Sequence, residues 1–374
     1  MLSLLLLLAL PQDLDRPQEP VEASSTEAAP TQDAAPQDAP ALVAAPQHAP
    51  ALVVEDLIEV GLPLERSRVD LLPPAGALGG GWMMRPGELA FSVEQSLRRF
   101  RGMRDGRERV DARDELASWS QARRASMSRW AVNGRYGLSD HVTLSAVVPV
   151  ESRRVSWATD SERGRTSTHG LGDVELLADV RMFERLGERL IVGAGLIAPT
   201  GEHDARGTWS GAPDVLLPYW LQLGGGSWQG LVTASWIRQE STWSWGAGAR
   251  GTLPLEKNDS DWARERSLAA DAWAARPFGE RWVGSARVQA SGWSDVRGAA
   301  AGADPSASPL EDNGRQGGDR LEASLGLAYD LAGPGSSGAT NRLELSVGVP
   351  LWEDLDGPGP AANLSLGLRW RASL

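Results

Sequence analysis

From about residue 80 onward, apolar and polar positions alternate with a period of two. The last segment shows it most plainly: Leu364, Leu366, Leu368 and Trp370 are apolar, while Ser365, Gly367, Arg369 and Arg371 are small or charged. Such alternation places one set of side chains on each face of a strand. Leu343, Leu345, Val347 and Val349 repeat it against Glu344, Ser346 and Gly348, and Val174, Leu176, Ala178, Val180 and Met182 against Glu175, Asp179 and Arg181. Twelve runs of this kind are predicted, at residues 88–101, 124–137, 140–155, 171–183, 188–199, 227–238, 243–254, 264–276, 281–293, 319–331, 341–352 and 363–373. Most exceed the roughly 9–11 residues that a tilted strand needs to cross hydrocarbon.

The joins between runs sort by parity. Even joins are tight (138–139, 184–187, 239–242, 277–280, 332–340), whereas odd joins are longer (102–123, 158–170, 200–226, 255–263, 295–318, 353–362). Short turns on one side and long loops on the other are the asymmetry of an outer-membrane barrel, and an even strand count lets such a barrel close. Pro149, Pro199, Pro254 and Pro350 close strands three, five, seven and eleven, all running outward. Proline lacks a ladder donor and belongs at strand ends or bulges; spacings of this size point to duplicated hairpins. The expectation is an all-β, up-and-down antiparallel transmembrane barrel of about twelve strands over residues 80–374.

The apolar phase then faces lipid and the polar phase the lumen. Trp130, Tyr136, Trp228, Trp236, Trp243, Trp245, Trp282, Tyr329 and Trp370 fall on the apolar phase near strand ends, where indole and phenol rings form an interfacial girdle. A soluble β-sandwich seldom carries so many exposed aromatics on one face. The lumen phase carries Glu94, Arg98, Arg129, Arg135, Glu151, Arg153, Glu175, Asp179, Arg181, Arg250, Asp271, Arg287, Glu322, Glu344 and Arg369. Mixed charges in a barrel smaller than a wide porin predict a narrow or gated lumen. Two readings stay open: a conducting path, or an ion-pair network that only fills the barrel. Residues 215–223 (VLLPYWLQL) are strongly apolar yet fall in an outer loop, and an inward fold is favoured over a cap or an extra strand.

Ahead of the barrel, residues 1–10 (MLSLLLLLAL) are too short for a spanning helix and read as a signal-like leader without its basic end. Residues 11–79 are rich in Pro, Ala, Gln and acid, with a tandem decapeptide at 34–43 and 44–53, and read as a disordered periplasmic tail.

Composition narrows the chemistry. A formal charge of −12 argues against a nucleic-acid partner, and the absence of cysteine rules out thiolate sites and disulfides. Four histidines are present; His203 with Asp204 and Ser210 is the only grouping that resembles hydrolytic machinery, and chance supplies such groupings in loops. The stretch 200–204 is too poor in carboxylates for a calcium cage, and no phosphate-binding loop is present. No enzyme, cofactor or metal is expected. The expected partners are outer-membrane lipid and a small-molecule solute, in the outer membrane of a Gram-negative bacterium.

Five local motifs occur in order: Met84-Arg85-Pro86-Gly87-Glu88, Gly170-Leu171-Gly172-Asp173, Ala198-Pro199-Thr200-Gly201, Gln222-Leu223-Gly224-Gly225-Gly226-Ser227 and Asp354-Leu355-Asp356-Gly357-Pro358. Through them the chain resembles Gram-negative outer-membrane barrels described as transporters of the phenol meta-pathway type. The resemblance implies a barrel that passes small aromatic or apolar molecules. It departs from that pattern at residues 79–84 (GGGWMM), which lack the histidines that would accompany soft-metal contact, and at Leu374, where a terminal aromatic is usual.

Overall fold

The computed structural model describes residues 73–374 apart from 80, 111–120, 160, 241, 332–340 and 374. The leader, most of the tail, the join at 332–340 and the terminal leucine therefore lie outside the described residues. Among those described, no helix is long and apolar enough to cross a membrane; extended chain dominates.

Every alternating run forms a strand. In chain order they are β1 (Leu89–Gly106), β2 (Gln121–Gly137), β3 (Val142–Ala158), β4 (Val174–Arg185), β5 (Glu188–Ala198), β6 (Gln229–Gln239), β7 (Ser244–Pro254), β8 (Ser267–Phe278), β9 (Trp282–Trp293), β10 (Gly318–Asp330) and β11 (Asn341–Ser373). Each pairs antiparallel with its sequence neighbours, and β11 pairs with β1 to close the sheet. The 33 residues of β11 are two staves in one stretch. Its register against β10 runs from Arg342 opposite Asp330 to Leu355 opposite Gly318, and against β1 it runs back from Leu355 opposite Gly106 to Ser373 opposite Ala90. Gly348 lies against Ser365 and Gly367 against Ser346, as the two arms of a hairpin require. Eleven strands thus give a closed barrel of twelve staves.

The parity of the joins holds with two corrections. Residues 353–362, expected as a long outer loop, continue the ladder and fold back sharply, because Gly357 and Gly359 flank a proline where the chain reverses. A second correction concerns 158–170. Arg163–Leu171 is an additional strand that takes over as the partner of β3 where β4 leaves it: β3 pairs with β4 up to Val147 and with the extra strand from Val150. Pro149, which has no N–H to give, sits at that changeover and accepts a hydrogen bond from Gly172 N–H (2.9 Å) through its carbonyl. Pro350 occupies a bulge: Leu321 faces Trp352 and Glu322 faces Pro350, leaving Leu351 over.

The barrel is inverted relative to a soluble protein. Leu325 is 70% exposed on its outer wall, with Val132, Val232, Val150 and Leu345 nearly as open, while Asp179, Asp271, Glu322, Glu344, Arg135 and Arg371 are buried. An outer wall of this character is stable only in contact with acyl chains.

Candidate functional site, the interior of the barrel

Ion pairs that skip over neighbouring strands establish which side chains enter the lumen. Glu175 on β4 meets Arg129 on β2 at 3.1 Å and Arg250 on β7 at 3.1 Å, and no route along the wall would join those strands. Arg129 also lies 3.8 Å from Glu151, which holds Arg153 at 2.7 Å. Arg135 pairs with Asp179, again across β3. On the other side Arg98 reaches Glu322 (3.4 Å), Arg369 binds Glu94 (3.1 Å) and lies 3.8 Å from Glu344, and Arg371 pairs with Glu344. Asp271 and Arg287, on adjacent strands β8 and β9, are 3.7 Å apart. Of the fifteen residues expected on the lumen phase, Arg181 alone sits at the rim, bound to Glu184 and to the carbonyl of Asp140 in the neighbouring turn. Near-complete pairing follows from the cost of desolvating isolated charges, and a belt that crosses the barrel in this way narrows it.

Below this belt the chain ahead of β1 enters the barrel. Leu78 N–H donates to Asp271 Oδ2 (2.9 Å) and Met84 N–H to Thr143 Oγ1 (3.0 Å). Arg287 donates to the carbonyl of Gly76, and Arg371 donates to that of Pro73 (3.4 Å) while its guanidinium covers the Trp82 ring at 5.1 Å. Gly79 lies against the backbone of Ala234 and Gly81 against Ile237 and Pro73. Both have positive φ and stand where a β-carbon would collide with these neighbours, so glycine is required. Residues 73–88 therefore touch β3, β6, β7, β8, β9 and β11 from the inside, near the short-turn end.

Above the belt, residues 215–223 fold inward. Leu217 and Leu221 are buried with Phe100, Met103, Ala125 and Val155, which are inward positions of β1, β2 and β3, together with Trp157 and Trp209. The Trp220 ring meets Phe100 edge-on at 5.6 Å. Polar side chains of the wall and of a neighbouring loop hold the segment through its carbonyls: Arg153 donates to Trp220 O (3.0 Å), Thr168 to Leu221 O (2.7 Å) and Arg264 to Gln222 O (3.0 Å). Gln222 closes the turn by bonding Ala205 and Leu217. Neighbouring loops lock on. Tyr219 packs on Trp262 (5.3 Å) and accepts the N–H of Ala300 (2.9 Å), and burial raises its phenol pKa. Sequence reading missed the pair of Arg320 with Glu353 (2.6 Å), because Glu353 was taken as a loop residue.

The girdle positions face outward. Trp130, Tyr136, Trp228, Trp243, Trp282 and Trp370 are exposed and Trp236, Trp245 and Tyr329 half-buried, with Tyr329 and Trp282 tilted together at 4.6 Å. His203 does not join Ser210; its Nε2 lies 2.6 Å from Asp259 Oδ1 and links two outer loops, a contact that lowers the Asp259 pKa. Among the described residues no three His, Asp or Glu side chains are grouped to hold a metal.

No protein-family model and no curated protein matches the sequence. Solved structures do. A FadL homologue of Pseudomonas aeruginosa (11% identity, TM-score 0.38, 77% of this chain and 89% of that one) and the monoaromatic hydrocarbon channel CymD (9%, 0.36, 78% and 89%) align only loosely. An outer membrane channel from Pseudomonas putida F1 aligns over 81% of this chain and all of its own, at 14% identity and a TM-score of 0.56, and with it this chain shares its barrel fold.

Proposed function

We propose that this chain is an outer-membrane channel for small molecules whose lumen is shut in the conformation described. One observation carries the reading: the obstructions at both ends are chain segments, residues 73–88 and 215–223, held to the wall by hydrogen bonds and, for the outer one, by the burial of Leu217 and Leu221. A barrel meant only to be filled needs wall side chains alone, whereas tethered segments can leave. The outer segment, the loop hairpin ahead of it and the inner wall beneath offer Phe100, Met103, Met127, Trp157, Trp209 and Trp220, a mouth suited to a solute with an aromatic or apolar body. The charged belt below would then select against ions in bulk flow. A role of this kind agrees with the fold shared with a channel and with the phenol-pathway resemblance, and it requires neither catalysis nor nucleic acid.

The alternative is a structural barrel with a blocked lumen, favoured by the density of ion pairs. Planar-bilayer conductance and liposome swelling separate the two. Replacing residues 215–223 by a short Gly/Ser linker should raise conductance and speed swelling in a small phenol over a sugar of similar mass. Silence of that variant and of one lacking residues 73–86, both still showing the heat-dependent gel shift of a folded barrel, would establish the structural reading.

A further inference from the structure

The long-loop end of the outer wall carries a cluster of arginines that the channel reading leaves unused. On β1, Arg99 and Arg101 point outward; Arg99 faces Ser126 of β2, which in turn faces Arg154 of β3. One row further out Arg101 faces Arg124, Arg124 faces Ser156, and Ser156 faces Arg165 of the extra strand, with Arg163 beyond it opposite Ala158. All six arginines are exposed, and among the described residues none is engaged in an ion pair. Serines alone stand between them in these rows. The nearest described carboxylates, Asp105, Glu108 and Glu162, lie further out at the hairpin tips. Elsewhere the outer loops are acidic, with Asp259, Asp261, Asp295, Asp304 and Asp312, so this sector contrasts with its own rim.

Height decides what the sector meets. Ten residues of β2 separate Ser126 from Tyr136 in the lower girdle. They span about 33 Å along the strand, or about 25 Å of height at a tilt of about 40°. That is the height of the apolar band of an outer-membrane barrel. The Arg99–Arg154 row therefore stands at the upper edge of the hydrocarbon, one row above Leu97, Ser128, Ser152 and His169 and two rows above the apolar Trp130, Val150 and Leu171, and the Arg101–Arg124–Arg165 row stands among headgroups. Deeper in the band, outward arginines would be destabilising, because hydrocarbon cannot solvate a guanidinium. Neighbouring strands are about 4.8 Å apart, so these flexible side chains can converge on multivalent anions.

We infer that this face binds the phosphorylated diglucosamine headgroup of an outer-leaflet glycolipid of the lipid A type. Its two phosphates are presented at the height of the two arginine rows while its acyl chains lie on the apolar wall below. The serine hydroxyls between the arginines would bond the sugar. An ordinary phospholipid carries one phosphate and cannot engage both rows.

Native mass spectrometry of the full chain in detergent, titrated with defined lipids, tests this. Diphosphoryl lipid A should bind at least about tenfold more tightly than dioleoyl-phosphatidylglycerol, with monophosphoryl lipid A between them, since each added phosphate brings further charge-assisted contacts. Arg99→Gln/Arg124→Gln/Arg154→Gln/Arg165→Gln should lose that preference, whereas Arg276→Gln, a cation at the opposite end of the barrel, should keep it. If the quadruple variant fails the heat-modifiable gel shift, Arg101→Gln/Arg124→Gln replaces it, with a loss of at least about threefold expected. Equal binding of phosphatidylglycerol, competition by millimolar inorganic phosphate alone, or undiminished lipid A binding by a folded variant would overturn the assignment.

Discussion

Removal of the Asp271 carboxylate should loosen the segment that closes the short-turn end. Asp271 Oδ2 accepts Leu78 N–H at 2.9 Å, and the same carboxylate stands 3.7 Å from Arg287, which donates to the carbonyl of Gly76 two residues earlier. The Asp271 side chain is fully buried. In Asp271→Ala the segment loses a hydrogen bond to a charged acceptor, worth about 1.5–3 kcal/mol. Arg287 keeps Gln289 Oε1 (2.6 Å) and Ser324 Oγ (3.2 Å) and need not abandon Gly76. At about 1.4 kcal/mol per decade, the equilibrium between seated and released segment should move about ten- to a hundredfold toward release. Single-channel recording reads this directly as more frequent openings of unchanged amplitude, because the pore that opens is the same. Asp271→Asn, which preserves an acceptor oxygen, should fall between. The tether is refuted if Asp271→Ala opens no more often than the parent while a chain lacking residues 73–86 conducts freely.

Three further outcomes follow from the same geometry. Glu175→Gln frees Arg129 and Arg250 from the carboxylate they share, so in the variant released by deletion of residues 73–86 the reversal potential in a salt gradient should shift toward anions; an unchanged potential would place Glu175 off the conducting path. Leu325→Arg puts a cation on the most open position of the outer wall, four residues from the Tyr329 ring, and should lower stability in urea titration from lipid by about 2–4 kcal/mol; a loss below about 1 kcal/mol would mean that this wall does not face hydrocarbon. Burial raises the pKa of Glu311 in the outer loop cap, where its carboxylate accepts the N–H of Asp304. With the folded value raised, the cap is most stable below the ordinary glutamate pKa and loses that increment as pH rises through the folded value. The thermal midpoint should fall over that window in the parent, and Glu311→Gln should flatten the profile.

Much of this architecture was legible because lipid on one side and water or charge on the other impose opposite demands on alternate residues. A one-residue slip would drive Arg129, Arg135 and Glu151 into hydrocarbon, so the strand phases are readable from the pattern alone. Parity of the joins separated a short-turn end from a long-loop end, and the prolines gave strand ends and bulges. Arg163–Leu171 escaped notice because both of its phases are polar, Thr166 and Thr168 inward and arginines outward, and such a run looks like a loop until β3 lends it a ladder. The continuation of β11 through 353–362 was hidden by its glycines and prolines, which mark turns whether or not pairing continues around them.

Sequence by itself therefore determined the closed antiparallel wall, its inside and outside, and the set of charges that had to be enclosed. Tertiary structure alone decided which charges meet, since Arg369 finds Glu94 from 275 residues away and Arg250 finds Glu175 across two intervening strands. It also decided that residues 73–88 and the segment around Leu221 occupy the lumen. Local pattern fixes the environment a side chain requires, whereas the partner that supplies it is set by the curvature and closure of the whole sheet.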